Sequence, residues 1–236
     1  MGLYLIIMGV QGAGKGTQAA FIQKQYGIPQ VSTGDLFRAM KTREDDLAKR
    51  VQEIMTSGAL VPDDVTNEVL KDRLEQPDAE NGVILDGYPR NIAQAQWLAK
   101  HLKGRGEKLA AVLLLTLDGY TAFKRAFGRV KDSETGDTFN IYFNDGRIDW
   151  TIEEDENGTF SPRIVAKDTK TGRELARRKD DHAVAVVKRI DTYFAETMPL
   201  VEHYRAQDLL VEVDAEQSIE AVSGALKAEI DKVSAR

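Results

Sequence analysis

Short apolar runs alternate along the chain with longer stretches in which apolar residues recur every three or four positions. Leu3–Met8 is apolar without alternation, the pattern of a strand buried on both faces. Gln30–Ser32, Val83–Leu85, Ala110–Leu115 and Leu209–Val213 read as four further strands. Helical patterns cover Thr17–Tyr26, Asp35–Met40, Asp45–Ser57, Pro62 to about Glu75, Ile92–Leu102, Tyr120–Arg129 and Ser218–Lys232. A long helix, capped by Asp180 or Asp181, is expected to run to about Arg205. Gly27 and Gly58 stand where helices should stop, and Ser32-Thr33-Gly34-Asp35 has the form of a helix-opening capping box. Strands alternating with helices predict an α/β fold, a parallel five-stranded sheet flanked by helices.

One segment breaks this rhythm. From Val130 to about Lys179 the chain is polar, rich in Thr, Asp and Gly, and only weakly alternating, which predicts a small region of short strands and turns. The stretch around Asp145–Pro162, with its acid run Glu153–Glu156, reads as a decorated hairpin whose acids form a solvated loop.

Composition narrows the functions open to such a fold. The 236 residues suit one large domain with small insertions. The absence of cysteine removes disulfides, thiolate nucleophiles and cysteine-ligated metals. A net charge of −6 argues against wholesale nucleic-acid binding, although a local basic cleft stays open. The longest apolar runs are far too short to cross a bilayer, and Leu3–Met8 has no basic residues before it, so no signal peptide is expected. These features lead us to expect a cytoplasmic protein. His101, His182 and His203 match no ligand spacing and are expected at the surface, and Trp97 and Trp150 are expected to serve packing.

Gly9-Val10-Gln11-Gly12-Ala13-Gly14-Lys15-Gly16-Thr17 lies between a strand and a helix, the setting of a phosphate-binding loop. Glycines let successive N–H groups turn inward as an anion nest, the helix adds its positive end, and Lys15 adds a full charge. Gly16 stands directly after the lysine, where the general pattern has Ser or Thr, so Thr17 is not assigned as a metal ligand. The sheet is accordingly of the P-loop NTPase type.

The loop ending GAGKGT, the segment STGDLFR (Ser32–Arg38) and the segment LDGYPRNIAQ (Leu85–Gln94) together resemble the adenylate kinase family, in its order and spacing over nearly the whole chain. The resemblance implies a core of residues 1–31, 62–129 and 180–236, a small helical AMP-binding flap at 32–61 and a β-rich lid at 130–179. It implies that Gly12, Ala13, Gly14, Lys15, Gly16 and Thr17 bind ATP phosphates, with Arg125 stacked on the ATP base and Arg129 also at the donor. Thr33, Arg38, Leu60, Val61, Gly87, Arg90, Gln94, Arg178 and Arg189 would bind AMP, Gln94 reading adenine. Lys15, Arg90, Arg129, Arg178, Arg189 and Asp86 would carry catalysis, Asp86 orienting water on Mg²⁺. The implied activity is ATP + AMP = 2 ADP, with small nucleotides as the partners, no nucleic acid or membrane, and a monomeric chain.

Physical reasoning supports the arginine set, because two nucleotides meeting end to end need cations, and guanidinium forks match phosphate oxygens. Arg125 and Arg129, four residues apart, are expected on one helix face. Family lids often hold zinc through four cysteines. None is present here, so no structural zinc is expected, and Asp132, Thr135, Asp168 and Thr171 could form a polar network instead. Gln11 stands where the family loop usually has proline. Other monophosphate acceptors (UMP, CMP or GMP) and a GTP donor remain alternatives. No Asn is followed by Lys, which speaks against a guanine-specific switch, and the acidic balance speaks against a nucleic-acid motor.

Overall fold

A computed structural model describes residues 2–57, 61–143, 146–153, 163–178 and 181–234. In chain order the elements are β1 (Leu3–Gly9), α1 (Lys15–Tyr26), β2 (Gln30–Ser32), α2 (Thr33–Met40), α3 (Asp46–Thr56), α4 (Asp63–Leu74), β3 (Gly82–Asp86), α5 (Ile92–Gly104), β4 (Leu109–Thr116) and α6 (Gly119–Phe127). They continue with β5 (Arg129–Lys131), β6 (Thr138–Asn140), β7 (Ile148–Glu153), β8 (Arg163–Asp168), β9 (Glu174–Leu175), α7 (Ala183–Thr192), α8 (Met198–Arg205), β10 (Leu210–Asp214) and α9 (Ile219–Ser234). The chain divides into two compact units, one of Met1–Gly9, Gly14–Leu117 and Phe194–Arg236, the other of Val10–Ala13 and Asp118–Tyr193.

The first unit is built on a five-stranded sheet in the order β10-β4-β1-β3-β2, every pairing parallel. In central β1, Tyr4, Leu5, Ile6 and Ile7 are all essentially inaccessible, so both faces are covered, as the unbroken apolar run predicts. Tyr4, Ile6 and Met8 share a core with Leu70 and Leu74 of α4, Leu98 and Leu102 of α5, and Leu200 and Tyr204 of α8. Burying each such side chain contributes about 1.5–3 kcal/mol before entropy is counted. Helices α1 and α9 pack together and against β3 and β4. A second core, Met40, Ala48, Val51, Val65 and Val69, joins α2, α3 and α4.

The second unit contains the hairpin β5–β6 and the antiparallel sheet β7-β8-β9. Its apolar core is small: Val130, Ile141, Ile148, Ile164, Ala166 and Leu175, flanked by Phe127, Phe139 and Trp150. The segment read as a decorated hairpin joins β7 and β8, paired from Ile148↔Asp168 to Glu153↔Arg163; its residues 154–162 lie outside the described residues.

Several sequence-based expectations are corrected. The helix read over Tyr120–Arg129 ends at Phe127 with Gly128 as its cap, and Arg129 opens β5. Arg125 and Arg129 therefore do not share a helix face. The cause lies in β6: the Asn140 amide donates to the carbonyls of Lys124 and Arg125 and so satisfies the end of α6. The long helix to Arg205 is two helices, α7 and α8, separated by a π-helical stretch at Tyr193–Thr197. Pro199 follows directly and has no N–H to continue the ladder. His182, rather than Asp180 or Asp181, caps α7 by accepting from the Ala185 N–H; Asp180 is outside the described residues. Ser32 is the N-cap of α2 but its side chain makes no capping hydrogen bond, and the Asp35 carboxylate pairs with Arg38. Gly58 lies outside the described residues, and α3 ends at Thr56. His101 is half-buried and stacked on Trp97 at 4.9 Å, and His203 is half-buried as well. Only His182 of the three is exposed.

Candidate functional site

The phosphate loop follows directly from β1. Gly12 and Gly14 adopt φ of 92° and 88°, the left-handed region that favours glycine. A Cβ at Gly12 would lie 2.6 Å from the carbonyl oxygen of Ala122, so this position excludes any side chain. Gly14 opens α1 without a side-chain cap, which leaves the helix's positive end to the loop. Lys15 is half-buried, and its ammonium donates to the Gly9 carbonyl at 2.7 Å. Gly16 and Thr17 are exposed in the first turn of α1, and Ala13 is buried.

Asp86 ends β3 next to β1 in the sheet. Its carboxylate accepts from the Gln30 amide at 3.1 Å. Burial pushes its pKa up, and the nearby Lys15 charge opposes that rise. Gly87 follows at φ 78°, and a Cβ there would stand 3.0 Å from the Thr33 hydroxyl. That hydroxyl donates to the Gly87 carbonyl at 3.1 Å, joining α2 to the strand end. The Tyr88–Pro89 peptide is cis.

Beside this strand end lies a cavity of about 470 Å³, lined by Thr33, Phe37, Met55, Val61, Asp63, Thr66, Gly87, Arg90, Asn91, Gln94 and Glu196. Apolar and polar groups divide it, as in a small-molecule pocket. Thr33, Val61, Gly87, Arg90 and Gln94, all assigned from sequence to one ligand, line this cavity together. Leu60 lies outside the described residues. Arg38 is exposed and paired with Asp35, and does not line the cavity. Arg90 is exposed and donates through Nε to the Gly87 carbonyl at 3.0 Å. Gln94 is only 4% exposed, and its amide is held at both ends: Oε1 accepts from the Arg90 N–H at 2.8 Å, and Nε2 donates to Asp63 at 2.6 Å.

The second unit gathers another set of cations. Asp181 is fully buried and binds Arg129 in a fork, with contacts of 2.7–3.1 Å, while also accepting from Arg189 at 3.0 Å. Gln11, which stands where the family loop usually has proline, reaches the same carboxylate at 3.5 Å. Arg178 is exposed; its neighbour Arg177 turns inward to the carbonyls of Phe127 and Asp181, and burial lowers its pKa. A cavity of about 500 Å³ in this unit is lined by Arg125 and Arg129 with Phe139, Asn140, Phe143, Arg147 and neighbours. The two arginines, although on different elements, thus face one cavity. An aromatic-and-arginine lining of this kind suits a planar base.

The expected polar network in the β-rich segment is present in altered form. Asp132 accepts from the N–H groups of Glu134 and Thr135 and from Arg173; Asp168 accepts from Lys170 N–H and from Arg147. Thr135 bonds Asp137, and the Thr171 hydroxyl accepts from the Arg173 N–H at 3.4 Å. The arginines, which the sequence reading left out, supply the donors. Among the described residues no group of three or more His, Cys, Asp or Glu could hold a metal ion.

A family model described as adenylate kinase matches residues 7–209 of the chain. The adenylate kinase of Streptomyces avermitilis is 40% identical over 220 residues, 93% of each chain. That of a Thermoanaerobacter species is 39% identical over 218 residues, covering 92% of this chain and 93% of its own. That of Shouchella clausii is 38% identical over 224 residues, 95% and 96% respectively. The chain belongs to the adenylate kinase family.

Within an adenylate kinase, the residues that sequence reasoning passed over are those that hold others in place. Asp63 fell within a stretch read as helical from Pro62 and Asn91 within a motif, yet both line the first cavity. Asp181 read as a cap and proves to be the shared partner of two arginines. Gln30 read only as the start of a strand, and Arg147 carried no sequence signal. No helix among the described residues is long and apolar enough to cross a membrane.

Proposed function

We infer that this chain is a phosphotransferase that moves the terminal phosphoryl group of ATP to AMP and forms two ADP, so maintaining the balance of adenine nucleotides. The observation that carries the reading is the cavity at the end of β3, where Thr33, Val61, Gly87, Arg90 and Gln94 meet. Ligands bind at strand ends in open parallel sheets, and this cavity offers a base-reading amide beside a phosphate-binding arginine.

The acceptor is already an anionic oxygen, so no side chain needs to remove a proton. Catalysis then rests on positioning and on stabilising charge. Lys15 and the amides from Gly12 to Thr17 hold the donor phosphates. Arg90 and Arg38 hold the acceptor phosphate, with Thr33, Leu60, Val61 and Gly87 around the base and Gln94 reading it. Arg125 stacks on the donor base, and Arg129, Arg178 and Arg189 offset charge on the group in transfer. The segments 32–61 and 130–179 serve as flap and lid on a core of 1–31, 62–129 and 180–236, and they exclude water that would otherwise take the phosphoryl group. The family's lid is itself a standard example of this gating.

Mg²⁺ fits the donor set. Asp86 is one carboxylate near Lys15, and Mg²⁺ commonly keeps several waters and binds through one or two carboxylates plus substrate phosphates. Bound with ATP, the ion neutralises charge on the phosphates; Asp86 would orient its water shell. The chain acts in the cytoplasm as a monomer on small nucleotides.

The test is product formation from Mg-ATP against AMP, UMP, CMP and GMP in parallel, resolved by chromatography. ADP formation with AMP, lost on chelation of Mg²⁺, is expected. Transfer to another monophosphate in preference to AMP would overturn the base assignment, and ATP hydrolysis without transfer would overturn the kinase reading.

A further inference from the structure

The Gln94 amide sits in a ring of hydrogen bonds whose polarity cannot reverse. Asn91 caps α5, its carbonyl oxygen accepting from the Gln94 N–H at 2.9 Å. That contact turns the Asn91 amide nitrogen toward Asp63, which accepts it at 2.9 Å. The other Asp63 oxygen accepts the Gln94 Nε2 at 2.6 Å. On its far side Gln94 Oε1 accepts from the Arg90 backbone N–H at 2.8 Å. A carboxylate only accepts and a backbone N–H only donates. Flipping the Gln94 amide would set oxygen against carboxylate and N–H against N–H, in a side chain almost wholly removed from water, at the cost of two unmade hydrogen bonds.

An amide has two N–H donors and two acceptor lone pairs. The ring takes one of each, so one donor and one acceptor remain, in a fixed order. The pairing edge of adenine carries a ring-nitrogen acceptor beside an amino donor. A 6-oxopurine such as guanine or hypoxanthine carries the reverse, a carbonyl acceptor beside an N–H donor. A freely turning amide can match either edge, whereas a locked one matches only one of them.

We propose that Asp63 is a positioning residue for base choice: by fixing the orientation of the Gln94 amide, it makes the acceptor site select a 6-aminopurine over a 6-oxopurine monophosphate. The proposal rests on the reading that Gln94 contacts the acceptor base.

Asp63→Asn keeps the shape of the side chain but supplies both donor and acceptor, so one of the two contacts that fix the Gln94 amide no longer dictates its direction and only the Arg90 N–H opposes its turning. The measurement is kcat and KM for AMP and for IMP with saturating Mg-ATP, in the wild type, Asp63→Asn and Gln94→Leu, with melting curves for each. The expected result is a fall of about tenfold or more in the AMP-to-IMP ratio of kcat/KM for Asp63→Asn, carried more by KM than by kcat, since correct base pairing of an amide discriminates by roughly this much. Equal losses for AMP and IMP in Asp63→Asn, with the ratio unchanged while Gln94→Leu lowers it, would overturn the role of Asp63 alone. An unchanged ratio in Gln94→Leu would overturn the underlying reading of Gln94 and the proposal with it. If Asp63→Asn does not fold, Asp63→Ser, which also removes the acceptor-only carboxylate, carries the same expectation and the same refutation.

Discussion

The two units of the molecule are held together by different physics. In the first, strands buried on both faces put Tyr4, Ile6, Leu85 and Val112 into one apolar core with residues of three helices. In the second, a small cluster around Val130 and Ile141 is supplemented by charged pairs: Arg129 and Arg189 on Asp181, Arg173 on Asp132, and Arg147 on Asp168. Lys15 and Arg90, the cations assigned to phosphate in the first unit, stand outside its apolar cores, so chemistry and stability should be separable there. In the second unit the arginines assigned to phosphate are themselves structural partners, so the two should be coupled. A buried carboxylate shared by two guanidiniums keeps both in place.

The sharpest way to break this contrast is Lys15→Ala. Removing one preorganised charge should lower kcat by about 10²–10³-fold, with a melting temperature close to wild type, as read by steady-state kinetics and calorimetry. Near-normal turnover would refute the loop assignment, and a large loss of stability would refute the separation of site from core. The converse substitution is Leu74→Ala, in the shared core and 1% exposed. It should destabilise the first unit by roughly 2–5 kcal/mol, measured by denaturant unfolding, while turnover per folded molecule stays near wild type.

Asp181→Ala tests the coupling claimed for the second unit. Loss of a carboxylate bonded to Arg129, Arg189 and Gln11 should cost roughly 1–3 kcal/mol and lower kcat as well, as the arginines lose their alignment. A change in one quantity without the other would separate what the geometry joins. The smallest effect concerns acid. Hydrogen bonds from Arg173 and Arg147 hold the Asp132 and Asp168 carboxyls below their ordinary value. Stability from such depressed groups is present above the unfolded value and is lost as pH falls through the folded one. Hydrogen exchange should therefore show amides of β5 and β7–β9 losing protection below about pH 4 before those of the parallel sheet. Simultaneous loss in both units would show that the charged pairs do not carry the second one.

Much of the architecture was legible in the residues. Leu3–Met8, Val83–Leu85 and Ala110–Leu115 declared themselves because a strand covered on both faces tolerates no polar position. Gly12 and Lys15 were legible because a phosphate nest demands glycine angles and a cation at fixed spacing. At Arg129 the deciding partner was remote in sequence. Arg129 fits a helical pattern, and Asn140, closing the end of α6 from a neighbouring strand beside the Gly128 cap, ends the helix before it. The helix expected to reach Arg205 is interrupted before Pro199, which local pattern alone did not weigh correctly.

By itself, then, the sequence determined the order of strands and helices in the parallel sheet, the glycine-rich loop and the residue types that line the cavity at the end of β3, since these depend on periodicity, backbone freedom and charge carried by near neighbours. The tertiary structure decided which hydrogen-bonding face each of those residues presents. Gln94 is a symmetric-looking amide in the sequence; it acquires a direction only because Asp63, thirty-one residues earlier, and the Arg90 N–H approach it from opposite sides. Asp181 looks like a helix cap until Arg129 folds back onto it from fifty-two residues away. Hydrogen-bond polarity and charge sharing are properties of pairs, and the pairs exist only once the chain has folded.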